Sequence, residues 1–268
     1  MKHPPEILGK IASRTVDRVE KAKLAVPFGQ IRILVAAKRE ENQHNKPLPF
    51  ENALLGLGIS FICEVKKASP SKGIIVENFP WLEIAKEYET GGAAAISVLT
   101  EPDFFLGSDE YLRDISANVT IPTLRKDFII DPYQIYEAKV LGARAVLLIC
   151  ALLEKETLFR FLSIADELAL DCLVEIHSEA EADEALNAGA RIIGINNRDL
   201  TTFNVDTALT SRLRKNIPPD IICVAESGIK TAQEVRALKE IGINAVLIGE
   251  SLIRAKDKMQ FLKELASA

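Results

Sequence analysis

The chain has 268 residues, 48% of them hydrophobic, with a formal net charge of −5 at neutral pH. That length suits one large domain or two small ones, and the apolar share is enough for a full core. The acidic balance argues against a nucleic-acid or anionic-membrane surface. The longest apolar run, residues 145–153, is far short of the roughly 20 that a membrane-spanning helix needs.

From the N-terminus, Met1-Lys2-His3-Pro4-Pro5-Glu6 leads into an amphipathic stretch with no secretory signal in view, so a cytoplasmic protein is expected. Ile7, Leu8, Ile11, Thr15 and Val19 recur at helical spacing, Pro27 interrupts, and residues 31–38 resume the helical pattern. Residues 40–47 are polar. Residues 1–50 therefore read as a helical extension that caps the bottom, or packs beside the mouth, of the single domain formed by residues 51–268. So short a piece can hardly bury a core of its own.

Residues 59–63 are hydrophobic and read as the start of a buried strand that ends in Glu64-Val65-Lys66. An acid and a base two residues apart on a strand share one side of it. Burying both is costly unless they pair or do chemistry. The Ser69-Pro70-Ser71-Lys72-Gly73 turn that follows is rich in donors and suits an anion, and Gly73 lets it close over one.

Beyond this point one grammar repeats. Gly92, Gly142, Gly189 and Gly242 each follow a helical pattern and precede a short apolar run. A glycine there ends a helix in the left-handed conformation. Ser178 with Glu181, and Thr231 with Glu234, fit the capping box, and Asp131-Pro132 with Gln134 fits it with proline at the first helical position. Strands are predicted near 59–66, 94–100, 121–127, 145–151, 172–177, 192–197, 221–227 and 245–250, with helices at 80–90, 132–141, 155–169 and 231–241 among them. Apolar strands alternating with amphipathic helices make a covered parallel sheet. Eight units fit an α/β fold, a (β/α)₈ TIM barrel, which typically takes about 250 residues. A doubly wound open sheet would more often show a Gly-x-Gly-x-x-Gly turn after its first strand, and none is present.

Strand parity then gathers the charges. Glu64 and Lys66 share a side opposite Cys63, Glu175 and His177 share one opposite Cys172, and Glu226 lies opposite Cys223. Lys126 and Asn196 end their strands in the same manner. In a barrel, the C-terminal strand ends converge on the active-site face. One Glu–Lys pair would be a filler of the barrel mouth. Several titratable groups from different strands at one level point to acid–base catalysis. Ser227-Gly228 and Gly249-Glu250-Ser251 follow the last two strands, where this fold usually seats phosphate. Glu250 would oppose a phosphate if it pointed inward, so its backbone alone is expected to take part. Cys63, Cys150, Cys172 and Cys223 lie in apolar stretches without Cys-x-x-Cys spacing and read as core packing. His3, His44 and His177 lack zinc-ligand spacing, so neither metal nor disulfide is expected.

These residues resemble the indole-3-glycerol phosphate synthase family, lyases of tryptophan biosynthesis. The matching runs are Glu64-Val65-Lys66-Lys67-Ala68-Ser69-Pro70-Ser71-Lys72-Gly73, Leu124-Arg125-Lys126-Asp127-Phe128, Leu173-Val174-Glu175-Ile176-His177, Ile195-Asn196-Asn197-Arg198-Asp199-Leu200, Val224-Ala225-Glu226-Ser227-Gly228-Ile229 and Leu247-Ile248-Gly249-Glu250. With the helical extension they cover essentially the whole chain in order. The resemblance implies a phosphorylated substrate, 1-(2-carboxyphenylamino)-1-deoxyribulose 5-phosphate, which closes to indole-3-glycerol phosphate with loss of carbon dioxide and water and no cofactor. It implies Lys126 as the acid at the ketone oxygen. Lys66 would hold the substrate carboxylate and act in dehydration, with Glu64 positioning it or serving as base. Glu175 would be a second acid–base group. Asn196, Glu226 and Ser227 would bind substrate, Arg198 would orient its carboxylate, and Ser69, Gly228, Gly249 and Glu250 would surround the phosphate. Some family members carry serine in place of Glu250, which leaves a backbone contact intact. Contact with other tryptophan-pathway enzymes is also implied.

Two other readings stay open. Another sugar-phosphate barrel enzyme, such as phosphoribosylanthranilate isomerase, needs a Cys/Asp pair, whereas parity turns Cys63 outward. A non-catalytic phosphate-binding barrel has no use for so many buried titratable groups.

Overall fold

The computed structural model describes residues 6–39, 49–56 and 58–267. The first five residues, His3, His44 and the polar stretch 40–47 lie outside the described residues.

Strand β1 (Ser60–Val65) is followed by a small antiparallel hairpin of β2 (Ala68–Ser69) and β3 (Gly73–Ile74). Seven more strands complete the sheet: β4 (Ala95–Leu99), β5 (Thr123–Lys126), β6 (Ala145–Ile149), β7 (Asp171–Ile176), β8 (Ile192–Asn196), β9 (Ile222–Glu226) and β10 (Ala245–Ile248). They pair in parallel in chain order, and β1 closes the ring between β4 and β10. This is a closed (β/α)₈ barrel. Each predicted strand lies within two residues of the observed one at either end. The strands are buried over nearly their whole length, as a parallel sheet covered by helices must be.

Gly92, Gly142, Gly189 and Gly242 all take positive φ. The capping boxes predicted before α6 (Pro132–Leu141) and α10 (Ala232–Glu240) are both complete. The third is half formed. Ser178 caps α8 (Glu179–Asn187) by accepting from the Glu181 N–H, but the Glu181 carboxylate accepts from the backbone N–H of His177 at 2.7 Å.

The extension folds as α1 (Glu6–Ala25) and α2 (Phe28–Arg39), with α3 (Pro49–Ala53) leading into the barrel. Leu8, Ile11, Ala12, Thr15 and Val19 form the buried stripe of α1. Val19, Ile31 and Tyr133 make a small cluster against α6, and the Tyr133 hydroxyl donates to the carbonyls of Ala22 and Val26. The extension and the α3 that follows it meet opposite ends of the barrel. Near the start of β7, buried Asp171 accepts from the Glu51 N–H at 2.9 Å, and Arg191 bonds the Glu51 carboxylate. At the other end, Arg18 reaches Asp127, directly after β5, at 2.7 Å.

Candidate active site

A cavity of about 840 Å³ opens at the C-terminal ends of the strands, within the size range of small-molecule sites. Leu147 and Ile149 of β6 and Leu247 of β10 give it an apolar lining. Glu64, Lys66, Lys126, Glu175, Asn196, Arg198, Glu226, Ser227, Gly228, Gly249, Glu250, Ser69 and Ser71 all line it, so the structure gathers every residue singled out above as a site candidate.

Lys126 stands at the centre of the charges. Its Nζ donates to Glu226 Oε2 at 2.7 Å and to Glu175 Oε2 at 3.4 Å. Beside it, Lys66 pairs with Glu64. All three glutamates are almost fully buried. Burial opposes the Lys126 charge, but Glu226, Glu175 and Glu64 together outweigh it and hold the ammonium well above its ordinary pKa. Burial pushes Glu64 up as well. Lys66 and Lys126 overcome that and keep its carboxyl below the usual value. Glu175 is likewise held down, by Lys126 and His177 against burial. Glu226 behaves differently. Burial raises it, Lys126 pulls it back, Glu175 and Glu64 repel it, and it ends at about 7. Its Oε1 is buried without a hydrogen-bond partner. One site thus holds two ionised carboxylates and a third poised near neutrality, the separation of protonation states that acid–base work requires.

This assignment has a stability consequence. Between the ordinary glutamate value of 4.5 and about 7, Glu226 is protonated in the folded protein but ionised in the unfolded chain. The folded state then binds more protons, so the Glu226 contribution to stability falls as pH rises through that window and is flat above it. Chemical denaturation across the window should show this decline, and Glu226→Gln should remove it. An unchanged slope in the variant would show that Glu226 is ionised throughout.

Two glycines, Gly194 within β8 and Gly249 directly after β10, make room for these carboxylates. A Cβ on Gly194 would overlap Glu226 Oε1, and one on Gly249 would overlap Glu64 Oε1. Ser227 follows Glu226 with φ 66°, a left-handed conformation that a serine adopts only when held. Asn197 holds it by donating to the Ser227 carbonyl at 3.0 Å, while the Ser227 hydroxyl donates to Asn196 Oδ1 at 2.9 Å. Ser251 Oγ bonds the Ile229 carbonyl and so ties the two glycine turns together. The Glu250 carboxylate faces cations, Arg254 at 3.6 Å and Lys72 at 3.9 Å. Arg198 is engaged within its own loop, where its Nη1 donates to the Phe203 carbonyl at 3.1 Å.

Several lining residues were not legible beforehand. Glu101, buried after β4, accepts from the backbone N–H groups of Asp103, Phe104 and Phe105. The loop so shaped sets the Phe105 ring 5.9 Å from that of Phe128, and both line the cavity. The Phe105 carbonyl also accepts from Ala68 N, which pins the β2–β3 hairpin. Behind Lys126, Asp127 joins Arg18 of α1 to Thr100 Oγ1, and Thr100 accepts from the fully buried Arg125. Among the described residues no cluster of His, Cys, Asp and Glu has the arrangement of a metal site. All four cysteines are buried, none is joined in a disulfide, and none lines the cavity.

Among the described residues no helix is long and apolar enough to cross a membrane. A family model described as indole-3-glycerol phosphate synthase matches residues 8–265. Indole-3-glycerol phosphate synthase of Ruminiclostridium cellulolyticum is 56% identical over 236 residues, 88% of this chain and 89% of that protein. The enzyme of the same name from Endomicrobium trichonymphae is 55% identical over 240 residues, 89% and 91% of the two chains. Among solved structures, KGPDC from Streptococcus mutans in complex with D-R5P shares the fold at a TM-score of 0.63 and 12% identity, over 78% of this chain and 96% of that one. The barrel, the cluster at its mouth and the match along nearly the full length agree, and the chain belongs to the indole-3-glycerol phosphate synthase family, carboxy-lyases of tryptophan biosynthesis.

Proposed function

We propose that the Lys126 cluster closes the indole ring of 1-(2-carboxyphenylamino)-1-deoxyribulose 5-phosphate, with each residue in the following role. The aniline nitrogen pushes electrons to the ring carbon that bears the carboxylate, and this carbon attacks the substrate ketone. Negative charge develops on the ketone oxygen, where Lys126 supplies first a positive charge and then a proton. Departure of carbon dioxide restores the aromatic ring. Loss of the hydroxyl as water then needs an acid and a base, and the buried carboxylates beside Lys66 and Lys126 supply them. Lys66 holds the substrate carboxylate, with Glu64 fixing its place or taking a proton. Glu175 is the second acid–base group.

The observation that carries this reading is the Lys126 ammonium, held between two buried carboxylates from different strands at the level of the cavity. Phe105 and Phe128, their rings tilted by 38°, offer an apolar wall for the substrate's aromatic ring. Asn196, Ser227 and Glu226 bond its hydroxyls, and Arg198 orients its carboxylate. The turns at Gly228 and Gly249-Glu250, with Ser69, take the phosphate. Glu250, drawn toward Arg254 and Lys72, contributes its backbone there. Residues 1–50 act as an extension of the barrel domain formed by residues 51–268, a reading supported by the Arg18–Asp127 pair and by the packing of Val19 and Ile31 on Tyr133. A phosphorylated intermediate does not cross membranes unaided, which supports a cytoplasmic chain working beside the other enzymes of the pathway, and contact with those enzymes belongs to the same proposal.

The test is direct. Purified protein mixed with the carboxyphenylamino-deoxyribulose phosphate should generate indole fluorescence, and well-folded protein without turnover would reject the reading. The isomerase alternative is disfavoured because no cysteine lines the cavity.

A further inference from the structure

His177 ends the β7 motif, and the roles above do not use it. Its ring lies between two carboxylates, with Nε2 3.6 Å from Glu175 Oε1 and Nδ1 3.6 Å from Glu181 Oε2. Both ring nitrogens are buried and lack a hydrogen-bond partner. A neutral imidazole has one N–H and one lone pair, so it would turn the lone pair on one of the two acids. Only the doubly protonated ring offers a donor to each. Glu181 is fixed for this purpose, because its carboxylate bonds the His177 backbone N–H rather than closing its own capping box.

We propose that His177 is a positioning residue for Glu175, a buried cation that faces one oxygen of the Glu175 carboxylate while Lys126 takes the other. The proposal rests on Glu175 being an acid–base group of the reaction. Charge then alternates from α8 into the barrel mouth through Glu181, His177, Glu175 and Lys126, with Glu226 bonded beyond Lys126. Two further acids act on the ring, Glu226 on β9 and Asp199 in the loop after β8, and both favour its charge. Burial works against the imidazolium, but Glu181, Glu175 and Glu226 prevail and raise its pKa above the ordinary histidine value. His177 thereby helps to keep Glu175 ionised when the site is empty.

The chain has three histidines, so His3→Gln with His44→Gln leaves one imidazole signal for NMR titration. That signal should titrate above the ordinary histidine value, and Glu181→Gln should lower it. In kinetics, Glu175→Gln identifies the limb of the kcat–pH profile that belongs to Glu175. His177→Gln should move that limb upward by about one pH unit, the usual effect of removing an opposite charge at this range. A purely structural histidine would lower kcat at every pH and leave the limb in place, and that result would overturn the proposal. An imidazole titrating at or below the ordinary value would do the same. If His177→Gln fails to fold, Glu181→Gln reads the same limb and the same imidazole. If Glu175→Gln keeps the wild-type profile, the role of Glu175 fails first and the positioning role falls with it, an outcome distinct from an unmoved limb in His177→Gln alone.

Discussion

Lys126→Ala is expected to lower kcat by roughly 10²- to 10⁴-fold, the usual contribution of a positioned acid. Lys126 is, among the described residues, the one ammonium within hydrogen-bonding reach of both Glu175 and Glu226, so its loss removes more than a proton donor. The two carboxylates would then face each other in a buried site with less to hold them apart, and Glu226, already at about 7, would be driven higher still. An ammonium stabilised this strongly is a reluctant acid toward water. It is nonetheless suited to an alkoxide, a much stronger base than an amine, so proton transfer becomes favourable only as the carbon–carbon bond forms. This separates the two parts of the role. Lys126→Arg keeps a charge but gives up no proton at accessible pH. A lysine acting only as a charge would leave the arginine variant well above alanine, whereas a lysine acting as acid leaves both low. Steady-state and single-turnover fluorescence on the two variants reads the difference. Wild-type turnover in Lys126→Ala would take it out of the mechanism.

Barrel and charge cluster were legible for one reason: strand parity is local. Glu64 and Lys66, or Glu175 alone, take their side of the sheet from neighbours one or two residues away, and closure of the barrel then fixes which side is inward. Helix ends were legible for the same reason, since a capping serine or threonine and a left-handed glycine act over four residues. What escaped depends on distant partners. Arg18 and Asp127 are 109 positions apart, and nothing in α1 marks Arg18 among its other exposed cations. The loop after β4 takes its form from Glu101, a buried acid with no strand parity to betray it, so the Phe105–Phe128 wall was not foreseen. At Ser178 the expected box lost to a competitor, because the Glu181 carboxylate accepts from the His177 N–H instead. Glu250 was expected to meet the phosphate through its backbone alone, on charge grounds. Arg254 and Lys72 supply the physical means by compensating it at the rim.

Gly194→Ala should be among the most damaging single-methyl changes in the chain. The added Cβ would overlap the Glu226 carboxylate and come within 3.1 Å of Leu173 Cδ1, in a strand that is buried throughout. Overpacking of this kind costs about 1–3 kcal/mol. In a domain of this size each kcal/mol lowers Tm by roughly 2–4 °C. The functional loss should exceed the stability loss, because the carboxylate that must move is the one bonded to Lys126 at 2.7 Å. Calorimetry and kcat/KM on Gly194→Ala would show both. The decisive comparison is with Glu226→Ala and the double variant. Truncating Glu226 empties the space that the new methyl enters, so the pair should be less destabilised than the sum of the singles, by about 0.5–3 kcal/mol for residues in contact. Strict additivity would mean that the methyl is accommodated elsewhere, against Leu173, and that Gly194 is not there for Glu226. Gly249 and Glu64 form the same combination beside Lys66, and Gly249→Ala with Glu64→Ala should couple likewise. Coupling at both positions would show that the barrel gives up side-chain packing within β8 and directly after β10 so that two carboxylates can approach their lysines.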